Sequence, residues 1–186
     1  MVHDVDDLAL VARAAGGDEL AFRALVTRHE SAVARTVTAM LGPGDDADDV
    51  GQETFVRFFG ALPRFRGDAE VRTYLTRIAV NLACDALERR RKRQGWIRLG
   101  GTDSDPPIEA PDQTDALERD ERKQLVVRAV ESLDAKHKAV VVLRLLEERS
   151  TREVADALGV PEGTVMSRLK RALQKLEQTL GAELGQ

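Results

Sequence analysis

The pattern of apolar and polar positions near the C-terminus predicts two short helices joined by a tight turn. The first apolar stripe consists of Val154, Ala155 and Leu158. Ser150 with Glu153 three residues later matches a capping box, in which each side chain binds the other residue's backbone N–H. Gly159 follows the stripe, and glycine readily takes the left-handed conformation that ends many helices. We therefore predict a helix that begins at Thr151 and ends before Gly159.

A second amphipathic helix is predicted after this turn, because Pro161 fits the first turn of a helix and Glu162 suits its positive end. Its apolar face consists of Val165, Leu169, Ala172 and Leu176. Its opposite face carries Ser167, Lys170, Arg171 and Gln174. Two cations beside short polar side chains suit a helix that reads the major groove of DNA. The alternative is a solvated basic face on an ordinary helical hairpin.

Helical periodicity covers most of the remaining chain. A short helix with Leu8, Val11 and Ala12 on its apolar stripe precedes a longer helix capped by Asp18. Aromatic residues make up only 4% of the chain, which favours helices packed through aliphatic side chains over sheets. We predict an all-α fold with two small helical domains joined by a flexible acidic linker, the C-terminal domain being the helix-turn-helix. The boundaries are residues 1–93, 94–119 and 120–186.

The net charge of −4 is concentrated in the predicted linker. Residues 1–93 carry 14 Lys/Arg and 15 Asp/Glu, residues 94–119 carry 2 and 6, and residues 120–186 carry 12 and 11. Charges act over about 10 Å at moderate salt, so local patches matter more than the total. Basic patches at residues 89–93 and 168–175 are therefore compatible with nucleic-acid binding.

The number of cysteines and the hydropathy of the chain indicate its cellular compartment and exclude some kinds of site. The single cysteine, Cys84, excludes an internal disulfide and provides no metal-binding framework. No apolar run approaches the length of a membrane span, and the acidic N-terminus differs from a secretory signal. We expect a cytoplasmic protein without direct membrane insertion.

A polar strip is predicted on the helix that follows the acidic residues 45–49. Asp49, Gln52, Glu53 and Val56 fall at i, i+3, i+4 and i+7, opposite an apolar face. That face consists of Phe55, Phe58, Phe59 and Leu62. A partner protein with a basic surface fits the strip. An enzymatic alternative, in which Asp45, Asp46 and Asp49 hold Mg²⁺, lacks a second acidic motif.

A long helix is predicted from Ala69 to the basic stretch at residue 93. Arg72, Arg77 and Asn81 lie on its polar side. Arginines with nearby aromatic and amide side chains suit nucleic acid, because they bind phosphates and exposed bases. A solvated helix with a cationic C-terminus explains the same pattern.

Four stretches, taken together and in order, resemble the bacterial sigma factors of the extracytoplasmic-function (ECF) class. They are residues 46–55 (DADDVGQETF), 65–67 (FRG), 73–81 (TYLTRIAVN) and 163–169 (GTVMSRL). The resemblance extends from Leu8 to Leu180 and includes the acidic linker. Tyr74 stands where the family often has tryptophan, and Met166 replaces a frequent Lys or Arg.

The resemblance implies three groups of functional residues. The polar strip would bind the coiled coil of the largest subunit of the RNA polymerase core: Asp49, Gln52, Glu53 and Val56. A loop and the following helix would capture flipped bases of the minus-10 element as it melts: Phe65, Arg66, Gly67, Tyr74, Arg77 and Asn81. The second helix of the helix-turn-helix would bind the minus-35 element: Thr164, Met166, Ser167, Arg168, Lys170 and Arg171.

The resemblance implies a sigma factor that directs core RNA polymerase to promoters, helps to melt the minus-10 region and is controlled by an anti-sigma factor. Such a protein is not an enzyme and needs no cofactor. The alternative is a free-standing helix-turn-helix regulator, which binds its duplex site alone and usually as a dimer. A sigma factor binds promoter DNA weakly until it joins the polymerase.

Overall fold

The structure, a computed structural model, describes residues 6–100 and 124–184, with side chains for residues 6–93 and 124–181. Residues 6–100, the N-terminal region, form helices α1 (Asp7–Ala15), α2 (Glu19–Leu41), α3 (Asp45–Ala61) and α4 (Val71–Gly100). A short 3-10 turn, Leu62–Arg64, follows α3. The helical prediction holds throughout this range.

Residues 124–184, the C-terminal region, are also helical. They form α5 (124–131), α6 (Ala135–Val141), a π-helix (Val142–Leu146), α7 (Thr151–Leu158) and α8 (Glu162–Leu184). Neither described range contains a strand, so the all-α prediction is confirmed for both. Residues 120–123, the start of the predicted C-terminal domain, lie outside the described residues.

The helices of the N-terminal region begin and end at capping residues and glycines that the sequence indicates. Asp18 caps α2 by accepting a 3.1 Å hydrogen bond from the backbone N–H of Ala21. Gly42 ends α2 at a φ of 80°, a conformation that favours glycine. Three carboxylates, Asp45, Asp46 and Asp48, occupy the first turn of α3, where the helix dipole stabilises them.

The core of the N-terminal region lies between α2, α3 and α4, with α1 packed across α2. The predicted apolar stripe of α1 is right only at Val11, because Leu8 is 48% exposed and Ala12 is also exposed. The buried residues of α1 are Leu10, Val11 and Ala14. Leu8 instead lies under the loop that follows the 3-10 turn, and its Cδ2 would be 3.1 Å from a Cβ at Gly67.

Helix α4 is longer than predicted. It continues to Gly100, so residues 94–100, which we predicted as the start of the linker, are helical. The first proline of that segment is Pro106, and nothing in residues 94–100 removes a backbone donor from the helix. The rest of the predicted linker, residues 101–119, lies outside the described residues.

The connection between α6 and α7 has an irregular backbone. The π-helix carries an i+5 hydrogen bond of 3.0 Å from the N–H of Glu147 to the carbonyl of Val142. Glu148 then has a φ of 54°, which a non-glycine residue adopts only rarely. Together these features turn the chain sharply before the cap of α7.

The two regions pack against each other. One continuous core cluster contains buried residues of α2 and α4 together with residues of α6, the π-helix and α7. Val140, Val142, Leu143 and Val154 are members of this cluster from the C-terminal region. The two regions therefore form one body in this structure.

Candidate nucleic-acid interface

The predicted helix-turn-helix is present. Ser150 and Glu153 form the complete capping box, with the Glu153 N–H 3.2 Å from the Ser150 hydroxyl and the Ser150 N–H 2.8 Å from the Glu153 carboxylate. The Ser150 hydroxyl and N–H lower the pKa of the Glu153 carboxyl. Gly159 ends α7 in the left-handed conformation, at φ 64° and ψ 37°. These features define the beginning and the end of α7.

The buried and exposed faces of α8 agree with the prediction. Val165 and Ala172 are buried against the rest of the C-terminal region, and Leu169 and Leu176 are half-buried. The outer face is exposed at four positions: Met166, Ser167, Lys170 and Arg171. Thr164 and Arg168 are half-buried. The exposed cations and hydroxyl are free to meet phosphates and base edges in a major groove.

Helices α7 and α8 contact each other near the surface. The Thr151 Oγ1 at the start of α7 is 3.7 Å from the Sδ of Met166, the fifth residue of α8. Met166 remains 53% exposed. The contact therefore joins the beginning of α7 to an exposed side chain of α8.

The loop before α4 is built on an aromatic cluster. The ring of Phe65 makes edge contacts with Tyr74, at 5.1 Å between centroids, and with Phe58, at 6.2 Å. Phe65 and Tyr74 are half-buried, so these two predicted minus-10 residues support the loop as well as bordering its surface. Arg66 is exposed, and Gly67 adopts a φ of 75°. The cluster thus presents Arg66 to solvent on a rigid base.

The predicted minus-10 residues of α4 differ in their surroundings. Asn81 is exposed and has no described protein partner. The guanidinium of Arg77 donates to the backbone carbonyl of Asp156 in α7. The basic stretch is also partly occupied, since Arg90 pairs with Asp46 at 2.6 Å and Arg91 donates to the Leu133 carbonyl. Part of the predicted nucleic-acid surface is therefore engaged within the chain.

The polar strip of α3 lies at the surface. Asp49, Gln52 and Val56 are exposed, and Glu53 is half-buried in an ion pair of 2.9 Å with Arg57. The predicted opposite face is wrong at one position: Phe59 is 55% exposed.

Phe59 rests edge-on against Phe22 of α2, with 4.9 Å between the ring centroids. Leu20, at the start of α2, is 70% exposed. The exposed apolar pair Val56 and Phe59 was not predicted, although its three-residue spacing places both side chains on one side of α3.

Two further expectations concern metals and membranes. Within the described residues, no group of three or more His, Cys, Asp or Glu side chains is arranged to hold a metal ion. Asp46, one of the three aspartates of the Mg²⁺ alternative, is paired with Arg90. In the same part of the chain, no helix combines the length and the apolar character that a membrane span requires.

Comparisons with known proteins define the class. The profile of Sigma-70 region 2 matches residues 25–93, and that of Sigma-70, region 4 matches residues 123–176. The ECF RNA polymerase sigma-E factor of Escherichia coli (strain K12) is 34% identical over 183 residues, covering 95% of each chain. The RNA polymerase sigma-H factor of Pseudomonas aeruginosa is 30% identical over 188 residues, covering 97% of this chain and 96% of that protein. The chain belongs to the ECF class of RNA polymerase sigma factors.

Solved structures agree with this assignment. CnrH, solved in complex with the cytosolic domain of CnrY, is 31% identical and superposes with a TM-score of 0.65 over 96% of this chain and 99% of that one. The sigma factor RpoE of Bartonella quintana, solved with the anti-sigma factor NepR, has a TM-score of 0.59 over 86% of this chain and 96% of that one. At 19% identity it supports the fold alone.

Proposed function

We propose that this chain is a promoter-specificity subunit that directs core RNA polymerase to particular promoters and stabilises the melted minus-10 region. The observation that carries the proposal is the outward basic face of α8, the second helix of a helix-turn-helix whose first helix, α7, is capped at both ends. The chain also matches both sigma regions in order. The protein performs no covalent chemistry in this role. It acts in the cytoplasm, where promoter DNA and polymerase are found.

The minus-35 element is read by the first three turns of α8. Lys170 and Arg171 anchor phosphates, while Met166 and Ser167 face base edges in the major groove. Thr164 and Arg168 border this surface. Met166 offers apolar contact in place of a charge, which favours a thymine methyl group at the base it meets.

The minus-10 element is opened by capture of unpaired bases. The loop at Phe65, Arg66 and Gly67 receives a flipped base, and Tyr74, Arg77 and Asn81 of α4 line the path of the strand. Unstacking a base costs a few kcal/mol, and stacking on protein side chains recovers about 1–3 kcal/mol per base. Such capture favours single-stranded over duplex DNA at this element.

The polymerase contact lies on α3. We propose that Asp49, Gln52, Glu53 and Val56 bind a basic coiled coil of the largest polymerase subunit. The functional regions are residues 1–93 and 120–186, joined by residues 94–119, of which the first seven extend α4. CnrH was solved in complex with the cytosolic domain of CnrY, and together with the resemblance to ECF sigma factors this supports an anti-sigma factor as a further partner of this chain.

The test is transcription by core polymerase on a promoter library, with and without this protein. We expect the protein to confer start-site selectivity. Lys170→Ala with Arg171→Ala should reduce initiation only at promoters that depend on the minus-35 element. Asp49→Ala with Glu53→Ala should weaken polymerase binding at all promoters. Gln178→Ala, at an exposed position further along α8 and outside the predicted DNA-binding face, is the matched control. A lack of selectivity with the wild-type protein contradicts the proposal.

A further inference from the structure

The loop that follows the 3-10 turn has few contacts of its own. At its start, the Phe65 ring packs on Tyr74, and the Phe65 N–H donates to the Leu62 carbonyl at 3.2 Å. Residues 66–69 make no hydrogen bond to any described part of the chain. Because hydrogen bonds do not hold these residues, their position depends on what packs against Gly67.

The side chain of Leu8, on α1, supplies that packing. A Cβ at position 67 would lie 3.1 Å from the Leu8 Cδ2, which is closer than ordinary van der Waals contact. Apart from the residues next to Gly67 in the chain, no other described residue comes within 4 Å of that point. Gly67 also has a φ of 75°, a conformation that favours glycine. The loop therefore rests on Leu8 at a position that requires glycine.

The rest of the space between α1 and the loop is open. A cavity of about 520 Å³ lies there, and Asp6, Asp7 and Leu8 line it together with Gly67 and Ala69. Water in an open cavity of this kind makes no fixed contact with the loop. Leu8 is therefore the side chain that fixes the distance between the loop and α1.

Leu8 is itself held in place through the residue before it. The Asp7 carboxylate accepts a hydrogen bond from the Nε2 of His29 at 2.8 Å and another from the Nη1 of Arg28 at 2.6 Å. His29 is buried in α2. Hydrogen bonds to an ionised carboxylate are stronger than bonds between neutral groups. They tie the first turn of α1 to α2, so the neighbouring Leu8 has a defined position.

We propose that Leu8 is a positioning residue for the minus-10 element. Held by the Asp7 anchor, it fixes the place of loop residues 65–67 and thereby the base that this loop prefers. The inference rests on the proposed function, in which the loop receives a flipped base. A flipped base is recognised by stacking and by hydrogen bonds in a close-fitting site. Such a site loses discrimination when the residue that supports it is removed.

The contact between Leu8 and Gly67 can be tested without DNA. Gly67→Ala should lower the midpoint of thermal unfolding, because of the positive φ and because the new methyl group meets the Leu8 Cδ2. In a Leu8→Ala background the backbone strain remains but the steric conflict is gone, so the same substitution should lower the midpoint by less. Gly60→Ala, on α3 with open space around it, is the control and should shift the midpoint equally in both backgrounds.

The functional measurement is the base preference of transcription at each position of the promoter library, with core polymerase and the full-length protein. Leu8→Ala should reduce the preference at one position of the minus-10 element by about fivefold, the lower end of what one mismatched base pair costs in a specific site. Preferences within the minus-35 element should stay unchanged. Leu8→Met, which keeps a long apolar side chain against Gly67, should restore most of the lost preference.

Leu20→Ala is the matched control for Leu8→Ala. Leu8 and Leu20 are each the second residue of a helix, and both are exposed, at 48% and 70%. Leu20 does not come within 4 Å of a Cβ at position 67. Leu20→Ala should therefore leave every base preference unchanged.

The anchor is tested by a second pair of variants. Asp7→Asn keeps the shape of the side chain but removes its charge, so it should reduce the same minus-10 preference by less than Leu8→Ala does. Asp6→Asn is the control, because the neighbouring Asp6 makes no side-chain capping bond to α1.

Each outcome either supports or overturns the positioning role. Equal effects of Gly67→Ala in the two backgrounds would overturn the contact and the proposal with it. An even loss of transcription at all promoters in Leu8→Ala, with base preferences unchanged, would assign Leu8 to the stability of the fold alone and overturn the proposal. A wild-type protein that confers no selectivity would overturn the proposed function as well, whereas wild-type selectivity that Leu8→Ala leaves intact would overturn only this inference.

Discussion

The N-terminal and C-terminal regions are both helical but are stabilised in different ways. The aromatic cluster of the N-terminal region joins α2, α3 and α4 around Phe58, which is fully buried. Residues 120–186 contain no aromatic residue at all, and α6 and α7 have only seven and eight residues. Such short helices are marginal alone, so their ends matter more. The difference teaches that core volume stabilises one region and helix capping the other.

The largest expected effect is on the aromatic core. Phe58→Ala should lower the free energy of unfolding by about 3–5 kcal/mol, because it removes a fully buried ring and leaves a cavity. The measurement is guanidinium unfolding followed by circular dichroism. Phe59→Ala, on the same helix but 55% exposed, should cost about 1 kcal/mol from its contact with Phe22. Equal losses would show that the cluster is not the main support of this region.

Removing a cap should affect the C-terminal region. Ser150→Ala abolishes the capping box of α7 and should cost about 1 kcal/mol. Native-state hydrogen exchange should place the loss in α7 and α8, with little change in α2 and α3. Ser167→Ala, in which the hydroxyl meets only the Thr164 carbonyl of its own helix, is the control. A loss spread evenly over both regions would contradict the contrast.

A buried lysine marks a place where the C-terminal region is not optimised. Lys138 is 5% exposed, and burial lowers its pKa. The carboxylate of Glu131 raises this pKa in part, whereas the charges of Arg90 and Arg91 lower it further. Because the folded pKa lies below the unfolded one, the penalty on the charged form is present at neutral pH and disappears as pH rises through the ordinary lysine range.

Lys138→Met should therefore raise the stability at pH 7 by about 1 kcal/mol, with a smaller gain above pH 10. Thermal unfolding at the two pH values measures this. Lys136→Met, exposed on the same helix, should be neutral, and a destabilised Lys138→Met protein would disprove the interpretation.

Acid should loosen the C-terminal region first. Capping carboxylates with lowered pKa values are Asp18 in the N-terminal region and Asp134 and Glu153 in the C-terminal region. Partial burial raises the pKa of Asp134, but the His137 N–H and imidazole outweigh it. Each cap stabilises the fold above the unfolded pKa, about 4, and that stability is lost as pH falls through the lower folded pKa. Amide exchange should rise in α6 and α7 before α2, and the reverse order would refute this.

Much of this architecture is predictable because local chemistry determines it. The Ser150 capping box, the Gly159 stop and the Asp18 cap each need residues within a few positions of one another. The outward face of α8 follows from helical spacing alone. The assignment to the ECF class followed from four short stretches in order and is confirmed by the relatives. The residue roles at the polymerase and promoter surfaces stay predictions.

The contact between the regions could not be predicted from local patterns. A local pattern treats charged residues such as Glu147 and Arg149 as surface residues, yet Arg149 is buried and the side chain of Glu147 is only 9% exposed. Their partners Thr36 and Thr76 lie more than seventy residues earlier in the chain, so no local pattern indicates these contacts. Arg77 was assigned to DNA by the same reasoning, and its occupied guanidinium became evident only from the packing of α7. Helix α4 continues beyond its predicted end at residue 93, because a run of charged residues does not by itself end a helix.

The π-helix between α6 and α7 has a consequence for how this class of protein could change over time. A wide turn of this kind holds one residue more than an α-helical turn. Deleting a single residue from Val142–Leu146 would turn this wide turn into an ordinary α-helical turn of nearly the same total rotation. The segment before the helix-turn-helix can therefore lose one residue over evolution while α7 and α8 keep their direction.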